Sequence, residues 1–206
     1  MFIELTEHLK CPGAHEEQHL ILVPDRMVGR MVLGGTVACP VCRREYPVTE
    51  GIVRFGAPPP APPWRAMDAG LAEAVRALLS LSNPGGYVVL VGSGCVLASS
   101  LATLMGGVHF VGVNPPAGVD VTPSLSLLEH SAAVPLRSAM ARGVVLGEES
   151  ATSSWLEDAA RVLLGGLRLV VLRAETEAPP GITRLASGQG LWVGEKGRAM
   201  RGDERR

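Results

Sequence analysis

Between residues 87 and 172 the chain alternates unbroken apolar runs with amphipathic stretches. Tyr87-Val88-Val89-Leu90-Val91 is a continuous run rich in valine, which suits a strand buried on both faces of a parallel sheet. Gly92-Ser93-Gly94 follows as a turn, Val96 to Met105 reads as a helix stopped by Gly106-Gly107, and Val108 to Val113 reads as the next strand. Further on, Arg142 to Leu146 is a strand. Ser154 to Leu164 is a helix with Ser153 or Ser154 at its N-cap and Gly165-Gly166 at its end, and Leu167 to Leu172 is a buried strand. Ile182 to Ala186 and Leu191 to Val193 form a hairpin around Ser187-Gly188-Gln189-Gly190. Upstream, Leu71, Val75, Leu78 and Leu79 fall at helical spacing over Ala66 to Leu81, ended by Asn83-Pro84-Gly85-Gly86. Strands alternating with helices predict an α/β sheet with right-handed crossovers, opened by a β–glycine turn–α–β unit.

The first 56 residues follow another pattern. Leu20 to Val23 and Arg30 to Leu33 read as short strands around the turn-prone Pro24-Asp25, Gly34-Gly35 marks a second turn, and Tyr46 to Phe55 is extended. Gly56-Ala57-Pro58-Pro59-Pro60-Ala61-Pro62-Pro63 can continue neither a helix nor a ladder. The expected organisation is a small module over 1–56, a proline-rich linker over 57–65, a larger domain over 66–196 and a polar tail over 197–206.

Composition narrows the class. Aromatic residues make up only 4% of the 206, so the core must come from valine, leucine and alanine. Nineteen basic against twenty acidic residues leave a net charge of −1, and no global field draws the chain to nucleic acid or acidic lipid. There is no apolar run of membrane-spanning length. The start, Met1-Phe2-Ile3-Glu4-Leu5, lacks the basic region and apolar stretch of an export signal, which predicts a cytoplasmic protein.

Cysteine placement changes the picture of the small module. Cys39-Pro40-Val41-Cys42 can turn two thiolates toward one ion, and Cys11 lies upstream with His15 and His19 beside it. A second knuckle at that position would complete a tetrahedral site, and a reducing compartment favours metal over disulfides. A module this small needs such an ion, because apolar burial alone supplies too little folding energy.

These residues carry a resemblance. Leu9-Lys10-Cys11-Pro12, Cys39-Pro40-Val41-Cys42 and Glu45-Tyr46-Pro47-Val48-Thr49-Glu50-Gly51-Ile52 resemble the Trm112-type zinc ribbon. The family's remaining cysteine position corresponds to Ala14. The resemblance therefore implies Cys11, Cys39 and Cys42 as ligands of a structural zinc, with His15 as the fourth and His19 or His8 as its rivals. It also implies docking on a methyltransferase, in cis or in a partner.

Residues 84–196 resemble a shortened class I S-adenosylmethionine-dependent methyltransferase. Val88 to Gly94 stands at the family's first strand and glycine loop, and Phe110-Val111-Gly112-Val113-Asn114 at its second strand. Val134-Pro135-Leu136 and Arg142 to Leu146 match a further segment, and Arg161 to Val171 its R-V-L-K-P-G-G segment. The resemblance points to Gly92, Gly94 and Asn114 as the positions that would hold S-adenosylmethionine. Leu90 stands where the family has a carboxylate, Val96 where it has a glycine, and Asn114 where it has the acid that accepts both ribose hydroxyls. An amide accepts without charge assistance, and a Cβ at Val96 obstructs close approach.

Together these features predict a shortened Rossmann-like methyltransferase sheet preceded by a β-rich zinc ribbon, with cofactor binding in doubt. The function expected is that of a non-catalytic structural or regulatory subunit binding a protein partner or a second copy. An active methyltransferase with an atypical pocket is the first alternative. A nucleic-acid-binding ribbon using Arg26, Arg30, Arg43, Arg44 and Arg54 is the second. Cys95 reads as a small buried residue, Glu148 and Glu149 as a solvated acidic loop, and His109 and His130 have no catalytic companion.

Overall fold

A computed structural model of the chain describes residues 1–57, 60 and 69–198. Most of the proline-rich stretch 57–65, the first turn of the helix expected from 66 and the tail beyond 198 lie outside those residues. The small module supplies β1 (Ile21–Val28), β2 (Met31–Ala38), β3 (Glu45–Thr49) and β4 (Ile52–Arg54), joined as antiparallel neighbours. After helix α1 (Ala69–Leu79) come β5 (Tyr87–Val91), α2 (Ala98–Leu104), β6 (His109–Val113), β7 (Leu125–Glu129) and β8 (Ala141–Leu146). Helix α3 (Ser153–Val162) then leads into β9 (Leu163–Val171), β10 (Ile182–Gly188) and β11 (Leu191–Lys196).

Among the described residues, eleven strands form one sheet in the order β1-β2-β3-β4-β7-β6-β5-β8-β9-β11-β10. From β4 to β9 the neighbours are parallel, while β11 runs antiparallel to β9 and to β10. The chain winds outward from β5 in both directions, so the sheet is Rossmann-like, with its switch point between the ends of β5 and β8. Strand β4 pairs in parallel with β7 (Val53 opposite Leu128), so the strands of the first 56 residues extend the same sheet.

Strand period two divides the core into two faces. Val88, Leu90, Phe110 and Val145 pack with α1 and α2, whereas Val89, Val91, Val111, Val144 and Leu146 face α3 and the N-terminal segment. The second face has an unusual cover. The connections 114–124 and 130–140 carry no helix, and a 3-10 helix, Ile3–His8, takes the place of one. Leu5 and Leu9 are fully buried there. Phe2 stacks on His109 at 4.7 Å, and its N–H donates to Ser126 Oγ at 2.8 Å.

Several elements depart from the sequence pattern. Pro24-Asp25 is a bulge inside β1, and the actual turn sits at Gly29-Arg30, where Gly29 takes a left-handed φ of 57°. Gly165-Gly166 does not end a helix. The pair lies inside β9 at an irregularity opposite Ala141–Gly143, with Gly166 at φ 77°. Helix α3 is capped instead by Lys196, whose Nζ donates to the carbonyls of Ala160 and Leu163 at 2.6 Å each. Strand β7 has no counterpart in the predicted elements. Among the described residues no helix is long and apolar enough to cross a membrane.

Candidate metal centre and cofactor crevice

The knuckle hangs from the end of β2. Arg43 N–H donates to Cys39 O at 2.9 Å, Cys39 N–H to Arg44 O at 2.9 Å, and Arg43 takes φ 60° to close the turn. The opposing loop is shaped by Gly13, whose N–H donates to Cys11 Sγ at 3.3 Å. A Cβ at Gly13 would stand 3.1 Å from the His15 ring and 3.3 Å from Cys11 Sγ, so a side chain there would crowd two members of the group at once.

The ligand atoms of Cys11, His15, Cys39 and Cys42 all lie within 4.8 Å of one another. Cys11 and Cys42 Sγ are 3.6 Å apart, and Cys39 Sγ is 3.3 Å from His15 Nε2. A tetrahedral Zn²⁺ with ordinary bond lengths requires about 3.8 Å between sulfurs and about 3.6 Å between sulfur and nitrogen. The four side chains therefore fit a metal ion of that kind and leave it no open position. His15 Nδ1 pairs with the Glu16 carbonyl at 2.8 Å, which leaves Nε2 to face the cluster. The other candidate histidines turn elsewhere: His19 pairs with Arg137, and His8 packs against Tyr87 at 4.9 Å. Ala14 is exposed.

Electrostatics within the group is uneven. The Arg44 N–H, together with the neighbouring thiols and His15, lowers the Cys42 thiol to about 6, whereas burial pushes the Cys11 thiol up. Tyr46, which is buried, places its hydroxyl 3.0 Å from Cys11 Sγ, and burial raises the phenol far above its usual range. With Cys11 as a thiolate, as a metal ligand must be, the Tyr46 O–H is the donor and the sulfur the acceptor. Beside the cluster lies a cleft of about 590 Å³ between residues 10–15 and 130–135. Its charged lining is already paired, Lys10 with Glu17 and Arg161 with Asp158.

The second candidate region sits at the ends of β5, β6 and β8. Gly92, at φ 60°, turns the chain out of β5 into a 3-10 helix, Gly92–Leu97, that runs on into α2. Ser93 N–H donates to Glu149 Oε1 at 2.6 Å, and Ser93 Oγ donates to Glu149 Oε2 at 2.7 Å. Gly94 is packed against β8, where a Cβ would approach Val145 O to 3.1 Å. Asn114 is buried and left-handed at φ 53°. Its amide is spent on one backbone unit: Nδ2 donates to His130 O at 2.7 Å, and His130 N–H donates to Oδ1 at 2.9 Å. The pairing of Val91 with Val113 brings the start of the glycine turn beside Asn114, and the chain itself supplies the polar partners of Ser93 and Asn114.

Cys95 is fully buried and donates to Leu90 O at 3.2 Å, and burial raises its thiol steeply. Glu149 is exposed, as the sequence reading of a solvated acidic loop has it, yet its carboxylate is held by Ser93. Its tie to Ser93 spans 56 positions, and no local pattern announces it.

No protein-family model and no curated protein sequence matches the chain. Among solved structures, the chain is distantly similar to several methyltransferases. One is geranyl diphosphate C-methyltransferase from Streptomyces coelicolor in complex with S-adenosyl-L-homocysteine, at 17% identity and TM-score 0.42, covering 50% of this chain and 42% of that one. A second is the antibiotic-resistance methyltransferase Kmr, at 14% identity and TM-score 0.45, covering 62% of this chain and 93% of that one. A third belongs to a complex containing the Haloferax volcanii Trm112 methyltransferase activator, at 13% identity and TM-score 0.47, covering 62% and 90%. The chain spans less than half the length of the geranyl diphosphate enzyme. Likenesses with TM-scores this low carry no argument, and the fold and the two sites stand on their own geometry.

Proposed function

We propose that the chain is a non-catalytic, zinc-stabilised relative of the methyltransferases that serves as a structural or regulatory subunit for a protein partner. The observation that carries this reading is the internal use of the crevice. Asn114, at the position where an acid would grip a ribose, is engaged in both directions by His130. A cofactor would have to break both bonds and then gain only a neutral acceptor.

In this reading residues 1–56 form a Trm112-type ribbon, 57–65 a linker and 66–196 the methyltransferase-like domain. Cys11, His15, Cys39 and Cys42 hold a structural zinc, and the protein works in the cytoplasm. A partner surface is supported by Ile21, Val23, Met27, Val28 and Val41, large apolar side chains of the small module that stand exposed. The nucleic-acid alternative is weakened because Arg30 pairs with Glu4 and Arg54 with Glu129, which removes two of its five arginines.

Calorimetric titration of the folded, metal-loaded protein with S-adenosylmethionine tests the reading, with the demethylated product as control. No binding heat is expected. Micromolar affinity would return the chain to the active methyltransferases.

A further inference from the structure

We propose that Glu149 is a built-in occupant of the glycine turn, whose carboxylate fills the seat that a carboxylate-bearing small ligand would need and so shuts the crevice between β5 and β8. The inference rests on the disabled-crevice reading above and names a group that does the disabling.

The seat has three parts. Ser93 offers its N–H and its O–H on the same side of the turn, and the two go to the two oxygens of one carboxylate, at 2.6 and 2.7 Å. Both bonds are charge-assisted, and a two-point grip fixes the orientation of the carboxylate plane. Gly92 and Gly147, from the ends of two neighbouring strands, make the room: a Cβ on Gly92 would collide with Glu149 Oε1, and one on Gly147 with Ser93 Oγ. Both glycines are therefore needed to admit the chain's own acid, so retention of Gly92 in the loop does not require an external cofactor.

Position gives the contact its consequence. The end of β5 beside β8 is the switch point, where open α/β sheets receive ligands. An incoming carboxylate and Glu149 cannot both accept the Ser93 N–H. Glu149 itself lies on a three-residue 3-10 turn, Glu148–Ser150, and the residue is otherwise exposed. Unseating it asks for movement of that short turn and leaves the sheet in place.

The test compares the full chain with Glu149→Ala and Glu149→Gln, all metal-loaded. The Ser93 amide is followed by ¹⁵N–¹H NMR, and S-adenosylhomocysteine is titrated calorimetrically. In the Ala variant the Ser93 amide is expected to move upfield, and S-adenosylhomocysteine to bind at least tenfold more tightly than to the unsubstituted chain. An unmoved Ser93 amide, or equal affinity in the two proteins, overturns the proposal. If the Ala variant does not fold, the Gln variant, which keeps the size and loses the charge, is read by the Ser93 amide: weakening of the charge-assisted bond moves it upfield, and an unmoved amide overturns the proposal. Failure of the broader reading looks different: it is tight binding of S-adenosylmethionine by the unsubstituted chain.

Discussion

Tyr46 illustrates how much of a candidate metal centre lies outside its four donor side chains. Its hydroxyl meets the sulfur of Cys11, the more buried of the two shifted thiols in the cluster, where an added donor favours the thiolate over the thiol. Replacing Tyr46 by Phe should therefore weaken zinc binding about 10–100-fold, the range typical of lost outer-shell partners, with the fold intact by circular dichroism. Competition against a chelator of known affinity would measure it, and an unchanged affinity would make Tyr46 mere packing. His109 gives a pH signature of its own. Burial holds its imidazole down at about 4, against about 6.5 for an ordinary histidine. Between those values the unfolded chain takes up a proton that the folded chain refuses. The histidine's contribution is whole above about pH 6.5 and is lost progressively as the pH falls toward about 4. His109 Nε2 pairs with Ser126 Oγ at 2.9 Å, and His109→Gln, which can keep that pairing, should flatten the acid limb in thermal melts. Acid also strips metal from both proteins alike, so the difference between the two curves isolates the histidine.

Element by element, the sequence was a good guide wherever burial alone decides the backbone. Tyr87–Val91 reads as a doubly buried strand because every position is apolar, and it is one. The cysteine knuckle was legible for a similar reason, since thiol spacing is itself the local geometry. Glycine pairs misled. Gly165-Gly166 and Gly106-Gly107 look alike in sequence, yet the first relieves a strand irregularity and the second follows a helix. Which job a glycine does is decided by the strand opposite, here β8, and that pairing is not local. Leu125–Glu129 was missed because no helix precedes it, and the usual alternation of strand and helix therefore gives no cue. The same distance problem hid Glu149 and the His130 backbone: the positions Ser93 and Asn114 were visible, but not what would come to meet them.

At the scale of the molecule, the small module and the Rossmann-like part share one sheet and one core face. Metal removal should accordingly lower the whole protein's melting temperature in a single cooperative transition by calorimetry. An early separate transition, leaving the main one unmoved, would show that the module is only appended. The tie between Phe2 and Ser126 spans 124 positions of sequence. On the ribosome, the opening segment is therefore made long before the strand it must lie against, and closing so wide a loop is entropically slow to be rewarded. Until then Leu5 and Leu9 have no sheet to cover. An ion gathered early by the knuckle would keep the rest of the nascent module folded during that interval, which gives the metal a task in biogenesis as well as in the finished protein.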